Sequence, residues 1–567
     1  MLYKLSLGAL ACTLMLPATA WADTFTVNHA GDAPDHVLGD GACHVLGGGC
    51  TLRAAIEQAN ALPGPHTIAF DFGGAPTTIG LTSQLPTITR QIAIDGTTNG
   101  GTPNAQAVGN DAVITVRIDG AAINSPHGGE HGLVFGPSGS GGASGSVLRG
   151  VAVTRFSGVG VVVSGNSGIG GAMTNVTGVT LAGNFIGLDL DGTTPLPNGA
   201  MAIAIQENAS DTIVGGPQPA DRNLIVSDGS RSAIAIHDTL LGGLVAGNYI
   251  GTGRTGNALL AGTHTGISLN GARNVTLANN VIGAQDVGVH VGNHAEYTRL
   301  HANRIGVGAG GAPIAGAGSR HGVFVTSGSG VNSPYETRIG STSAADANTI
   351  AHWGGNGVRA EISNAGASNM SFIAILGNSI YATGGEGIEQ IDTANGHGTA
   401  PGSRAPGSIT GLPRPVITST AGGMVHFTLT DGPWDSTLRF ELFASTECHA
   451  SGWGAGRTFL GAASVQNDED GQYSGSLVLP SLPAGAAVLT MTASSDYGGQ
   501  FGTSEFSQCA AVQGASPGGG AVAVPTLGHA GLTLLSLGLA GLGALRRRGP
   551  AGDLLRRLRR LPAAARQ

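Results

Sequence analysis

The motif Asn-x-Ile-Gly recurs through the middle of the chain, as Asn184-Phe185-Ile186-Gly187, Asn248-Tyr249-Ile250-Gly251, Asn280-Val281-Ile282-Gly283 and Asn303-Arg304-Ile305-Gly306. Asn378-Ser379-Ile380 is a degenerate copy, and Asn223-Leu224-Ile225 and Asn348-Thr349-Ile350 are looser ones. Successive asparagines therefore lie 39, 25, 32, 23, 45 and 30 residues apart. A motif returning at such intervals means stacked coils, each of which buries its apolar side only against its neighbours.

Short alternating runs precede the asparagines: Val179-Thr180-Leu181, Leu244-Val245, Val275-Thr276-Leu277 and Ile373-Ala374-Ile375. A second set opens on a small residue, as in Gly160-Val161-Val162-Val163, Ala202-Ile203-Ala204-Ile205 and Gly288-Val289-His290-Val291. Period-two alternation predicts strands, two or more per repeat. The 98 glycines and the absence of a sustained 3.6-residue period exclude a helical solenoid. The expected fold is all-β, a right-handed parallel β-helix of some ten coils stacked about 4.8 Å apart. Stacked turn asparagines can then hydrogen-bond from coil to coil as an amide ladder.

Both ends carry processing signals. Residues 1–22 combine Lys4, an apolar stretch from Leu5 to Leu16 and Ala20-Trp21-Ala22, which predicts a cleaved signal peptide and an exported chain. Export permits two local disulfides, Cys43 with Cys50 and Cys448 with Cys509. Near the other end, Val524-Pro525-Thr526-Leu527 precedes an apolar stretch from Ala530 to Leu545 and then Arg546-Arg547-Arg548, predicting a transmembrane helix with its basic flank in the cytoplasm. Residues 549–567 form a basic tail. Between Asp23 and Leu545 there remain 18 basic and 34 acidic residues, a net charge near −16. So acidic a body argues against nucleic acid as the partner.

Thr51-Leu52-Arg53-Ala54-Ala55-Ile56-Glu57-Gln58-Ala59-Asn60 predicts a helix capped by Thr51, apolar along Leu52, Ala55, Ile56 and Ala59, and stopped by Pro63. Such a helix would plug the open first coil. Arg53 and Glu57, one turn apart, are expected to form a surface ion pair.

With Thr26-Val27-Asn28 upstream and Asp95-Gly96-Thr97-Thr98 downstream, the run Cys50-Thr51-Leu52-Arg53-Ala54-Ala55-Ile56 resembles the CSLREA domain of exported bacterial parallel β-helix proteins. The resemblance spans roughly residues 24–400 and implies the fold. Val524-Pro525-Thr526-Leu527 with Gly531 and Arg546-Arg547-Arg548 is similar to the IPTL-CTERM sorting signal, in which Val524 replaces Ile and Ala530 stands where the family has Trp. That resemblance implies an exosortase-type membrane enzyme as a partner and a Gram-negative-type envelope as the destination.

The expected layout is a cap with the first coils (23–110), β-helix repeats (111–400), a Pro/Gly/Ser-rich linker (401–415), an immunoglobulin-like β-sandwich (416–512) and a second linker (513–523) before the sorting signal (524–548). Runs such as Val425-His426-Phe427-Thr428-Leu429 and Leu438-Arg439-Phe440-Glu441-Leu442 supply the sandwich strands. Asn467-Asp468-Glu469-Asp470-Gly471 offers Asp468 and Asp470 to calcium, although a hairpin turn at Asp470-Gly471 accounts for it more simply.

Many parallel β-helices act on polysaccharides, but a fold does not establish an activity. Glycoside hydrolysis needs two carboxyl groups about 5 to 9.5 Å apart. Asp189 and Asp191 are the candidate pair, although Asp191-Gly192 also reads as a turn. His237, His290, His294 and His301 are candidate bases or metal ligands if coil register gathers them, and His352-Trp353 is a candidate ligand contact. The expected function is an exported, non-catalytic adhesion or ligand-presenting scaffold, a β-helical rod with an immunoglobulin-like tip that engages a glycan or a surface protein. A polysaccharide lyase or glycoside hydrolase is the alternative.

Overall fold

The computed structural model describes residues 23–123, 129–138, 141–165, 175–239, 241–260, 262–327, 334–362, 371–392, 412–467, 470–497 and 500–512. The expected signal peptide, linker residues 401–411, Asp468, the sorting signal with its helix, and the basic tail lie outside them. Among the described residues no helix is long and apolar enough to cross a membrane.

Three parallel sheets wind the chain into a β-helix. The first runs from Asp23–Val27 through His66–Phe70 and Thr180–Ala182 to Ser371–Leu376; among the described residues the second holds 10 strands and the third 9. The Asn-x-Ile residues themselves make the second sheet, where Phe185–Ile186, Tyr249–Ile250 and Val281–Ile282 stack in register with Leu224–Ile225. Ile186, Ile225, Ile250, Ile282, Ile305, Ile350 and Ile380 all point into the lumen, none more than 1% exposed. In three of the four motifs, Gly283 being the exception, the glycine that follows is required by backbone and by space. Gly187, Gly251 and Gly306 have φ of 82°, 73° and 81°. A methyl group on any of them would fall within 2.1 Å of a carbonyl oxygen of the next coil.

The asparagines form the ladder. Asn184, Asn223, Asn248, Asn280, Asn303 and Asn348 each donate from Nδ2 to Oδ1 of the next asparagine, at 2.9–3.1 Å, ending on Asn378. The looser copies at Asn223 and Asn348 follow one-turn 3-10 helices, Pro219–Asp221 and Ala344–Asp346. These replace the left-handed residue, such as Gly183, Gly247 or Ala302, that precedes other rungs.

The amino-terminal plug is the helix Leu52–Ala61. Thr51 Oγ1 accepts from Ala54 N at 3.1 Å, and Leu52, Ala55, Ile56 and Ala59 are fully buried in the lumen core. Arg53 departs from expectation. Its guanidinium turns away from Glu57 to bind Asp32 through Nε and Nη2 at 2.9 and 3.0 Å, and it also donates to the carbonyls of Ser83 and Gln84. Glu57 instead accepts from Asp35 N at 2.8 Å. A forked cation that is only 8% exposed needs several acceptors, and a neighbour one turn away supplies too few.

Residues 416–512 form two antiparallel sheets over one apolar core that includes Val425, Phe427, Phe440, Met491 and Tyr473. One sheet is ordered Val416–Ser419, Met424–Leu429, Tyr473–Val478; the other is Gln500–Thr503, Val488–Tyr497, Ser436–Ser445, Thr458–Asn467. Both disulfides are present, with Cα–Cα distances of 5.2 and 6.0 Å.

The sandwich is fastened to the last coil, unlike a separate tip on a linker. Gly502 pairs with Ile373, so the first sheet of the β-helix continues into the sandwich. Side chains and carbonyls meet the remaining edge N–H groups: Thr503 Oγ1 accepts from Ile375, Glu441 Oε2 from Gly377, Gly456 O from Ile380, and Glu505 Oε1 from Gln390. Phe443 and Phe506, each 2% exposed, join the lumen core. An uncovered last coil would leave a strand edge and an apolar lumen in water; the sandwich removes both.

Candidate functional site

Each coil offers three outward faces, and the second is closed. Hairpin loops bulge from it after Gly187, Gly251 and Gly306, each tied back by a backbone bond to that glycine's carbonyl from Leu196, Leu260 or Ile314. The loops stack on one another, Arg254 N donating to Gly192 O and Ala309 N to Gly256 O. Beneath them lies a second apolar layer of Phe185, Leu224, Tyr249 and Val281. Arg254 binds the carbonyls of Asp191, Asn110 and Ala112, and Arg222 those of Gln106, Ala107 and Gly109.

Asp189 and Asp191 sit in the first of these hairpins. Asp189 is ion-paired to Arg117, which also lies beside Asp119. Asp191 Oδ1 accepts from the amides of Thr193 and Thr194, at 2.7 and 2.8 Å, and Oδ2 from the Thr194 hydroxyl at 2.6 Å. Burial opposes its ionisation, but the bonds from Thr194 and Thr193 outweigh that and hold the carboxyl at about 2. A carboxylate so stabilised neither donates a proton near neutrality nor lacks partners of its own. The arrangement is a turn cap plus a structural ion pair.

The third sheet is the face that gathers polar groups. Register aligns Ser268, His290, Phe324, Arg359 and Glu389 outward across successive coils, with His237 opposite Asn270 in the adjoining column. His290 stacks on Phe324 with centroids 5.5 Å apart, and its Nδ1 lies 3.4 Å from Ser268 Oγ. Burial, then the charges of Arg320 and His237, push the His290 imidazole down to about 4. His321 falls to about 4 as well, through burial, Arg359 and Arg320; its Nδ1 accepts from Asn356 N at 3.1 Å, a bond that protonation at Nδ1 would break. The histidines expected together are only partly so. His237 and His290 lie on the same sheet, two coils apart, close enough for the His237 charge to act on His290, whereas His301 lies on the first sheet beside Asp346, 3.7 Å away.

Two cations of this face, Arg320 and Arg359, are committed. Arg320 pairs with Asp286 at 3.1 Å, and Arg359 with Glu361 and Glu389 at 2.9 and 2.6 Å. Neutral imidazoles held well below the operating range are weak general bases, and paired guanidinium groups do not neutralise a uronate. Among the described residues no three His, Cys, Asp or Glu side chains are grouped to hold a metal ion. Trp353 is lumen packing, 1% exposed, with Nε1 donating to Ile305 O at 3.2 Å. Asp470 Oδ1 accepts from Asn467 Nδ2 at 2.8 Å and from Gln472 N at 2.9 Å, the bonds of a hairpin turn at Gly471.

Residues 522–549 match the IPTL-CTERM motif. That match marks an exported protein with a carboxy-terminal sorting signal. The chain has no match among curated proteins. Among solved structures it is similar to pectate lyase Pel9A, at 13% identity over 64% of this chain and 79% of the lyase, with a TM-score of 0.32. It is also similar to the enzymatically active domain of tailspike protein 2 of bacteriophage CBA120, at 11% identity over 82% of this chain and 74% of that domain, with a TM-score of 0.32. Likenesses this distant carry no argument about activity.

Proposed function

We propose that this protein is a non-catalytic cell-envelope scaffold, a CSLREA-type β-helix closed by an immunoglobulin-like sandwich, exported by its signal peptide and processed at its tail by an exosortase-type enzyme. The observation that carries the reading is the sorting motif at 522–549. The state of the candidate carboxylates and imidazoles supports the non-catalytic part, since each is engaged by a turn, an ion pair or a neighbouring ring. The apolar stretch before Arg546 holds the precursor in the membrane until the tail is processed, and the acidic body outside and basic tail inside suit that topology.

Expression of Pro525→Ala in a host with the sorting enzyme tests the reading. The expected result is a larger, membrane-retained form in place of the processed one; unchanged size and unchanged retention would overturn the sorting role. In parallel, the full-length protein is expected to release neither unsaturated products nor reducing ends from uronate and neutral polysaccharides. Turnover that disappears in Asp189→Ala with Asp191→Ala, or in His290→Ala, would establish the enzymatic alternative instead.

A further inference from the structure

Trp434 is 71% exposed, whereas Trp353 is buried and the Trp453 ring is covered by the Arg414 guanidinium at 4.0 Å. It is the most exposed Phe, Tyr or Trp side chain among the described residues. The Trp434 loop is also built to stay put. Gly432 N donates to Gly471 O at 2.9 Å, the Tyr473 hydroxyl donates to Pro433 O at 2.6 Å, and Ser436 Oγ donates to Trp434 O at 2.9 Å. Gly471 of the facing hairpin lies under the indole edge; a methyl group there would sit 3.2 Å from Nε1. The ring is thus fixed along one edge and open elsewhere.

In the same loop Asp431 and Asp435, three residues before the indole and one after it, are both exposed and both in the left-handed region, with φ of 59° and 48°. Non-glycine residues adopt that conformation at a cost. The loop precedes the strand Ser436–Ser445, whose far end runs into the segment docked on the last coil. The strand carries the loop away from Glu441, which lies seven residues beyond Trp434 and is bound to Gly377 of the last coil, a span of about 20 Å at about 3.3 Å per residue.

We infer that this end of the sandwich binds a neutral glycan, with a pyranose ring stacked on Trp434 and its hydroxyls donating to Asp431 and Asp435. The C–H face of a sugar is apolar and its edge is ringed with donors, which is the complement of an exposed indole in a loop that also carries two acceptors. The two carboxylates, on a body of net negative charge, select against uronates and sulfated chains. The inference rests on the scaffold reading and supplies its ligand, but its test is a purified binding measurement that leaves sorting and turnover untouched.

Calorimetric titration of the full-length protein in detergent with cellohexaose, maltohexaose, mannohexaose, chitohexaose and hexagalacturonate decides it. Saturable binding of at least one neutral hexasaccharide is expected, with hexagalacturonate not bound. Trp434→Ala should weaken that binding about tenfold or more and Asp435→Asn severalfold, while the thermal midpoint stays put because the ring is exposed. Acrylamide quenching, taken as the difference between wild type and Trp434→Phe, should fall when the sugar is bound. Binding that survives Trp434→Ala, the absence of binding across the panel, or equal binding of hexagalacturonate would each overturn the inference.

Discussion

Asn280 illustrates what one rung of the ladder does. Its Oδ1 accepts from both N and Nδ2 of Asn248, and its Nδ2 donates to Val245 O and to Asn303 Oδ1. Every hydrogen-bonding group of a fully buried amide is used; of its partners, Asn248 Nδ2 also donates to Val214 O and Asn303 Oδ1 also accepts from Asn280 N, whereas Asn248 N loses its acceptor with the side chain. Asn280→Ala should therefore cost more than an ordinary buried hydrogen bond, on the order of 2 kcal/mol, because a buried backbone donor is left without that acceptor. Chemical denaturation of the purified protein measures it, and a loss under about 1 kcal/mol would show that water enters to replace the amide. The asparagines were legible in the sequence because the role repeats and the spacing exposes it. Arg53 was not: its partner Asp32 lies 21 residues away in a loop, and nothing local distinguishes it from Glu57, one helical turn along.

At the level of elements, the third sheet makes a pH-dependent contribution. Folding lowers the His290 and His321 pKa values to about 4 from an unfolded value near 6.5. Between those limits the unfolded chain binds more protons, so stability is full above about pH 6.5 and declines as pH falls towards 4. The effect should be on the order of 2 kcal/mol per histidine at most, and the slope of stability against pH should flatten in His290→Gln. A wild-type slope equal to that of the variant would contradict the assignment. That His237 and His290 share one sheet face is invisible in sequence, since it arises from a register spanning coils of unequal length. The hairpins over the second sheet were likewise hidden. Asp191-Gly192 reads as a turn, but that its loop stacks on those after Gly251 and Gly306 depends on arginines such as Arg254, 63 residues away.

For the whole molecule, the decisive feature is that the sandwich completes the β-helix. Strand runs and a Pro-rich stretch suggest two independent domains; the contacts joining them, such as Thr503 to Ile375 across 128 residues, leave no local trace. Phe506→Ala should remove about 3–5 kcal/mol by opening a cavity at the lumen end, and it should divide one calorimetric unfolding transition into two. Two transitions in the wild type would mean that the sandwich is only loosely attached. The ladder carries a further consequence, for how such a chain can change over time. Its rungs are joined across separations from 23 to 45 residues with the same side-chain geometry. Closure of each coil is thereby uncoupled from the length of chain between rungs. A segment inserted there lengthens a loop without displacing a rung, so lineages can gain or lose whole surface loops while the interior keeps its register.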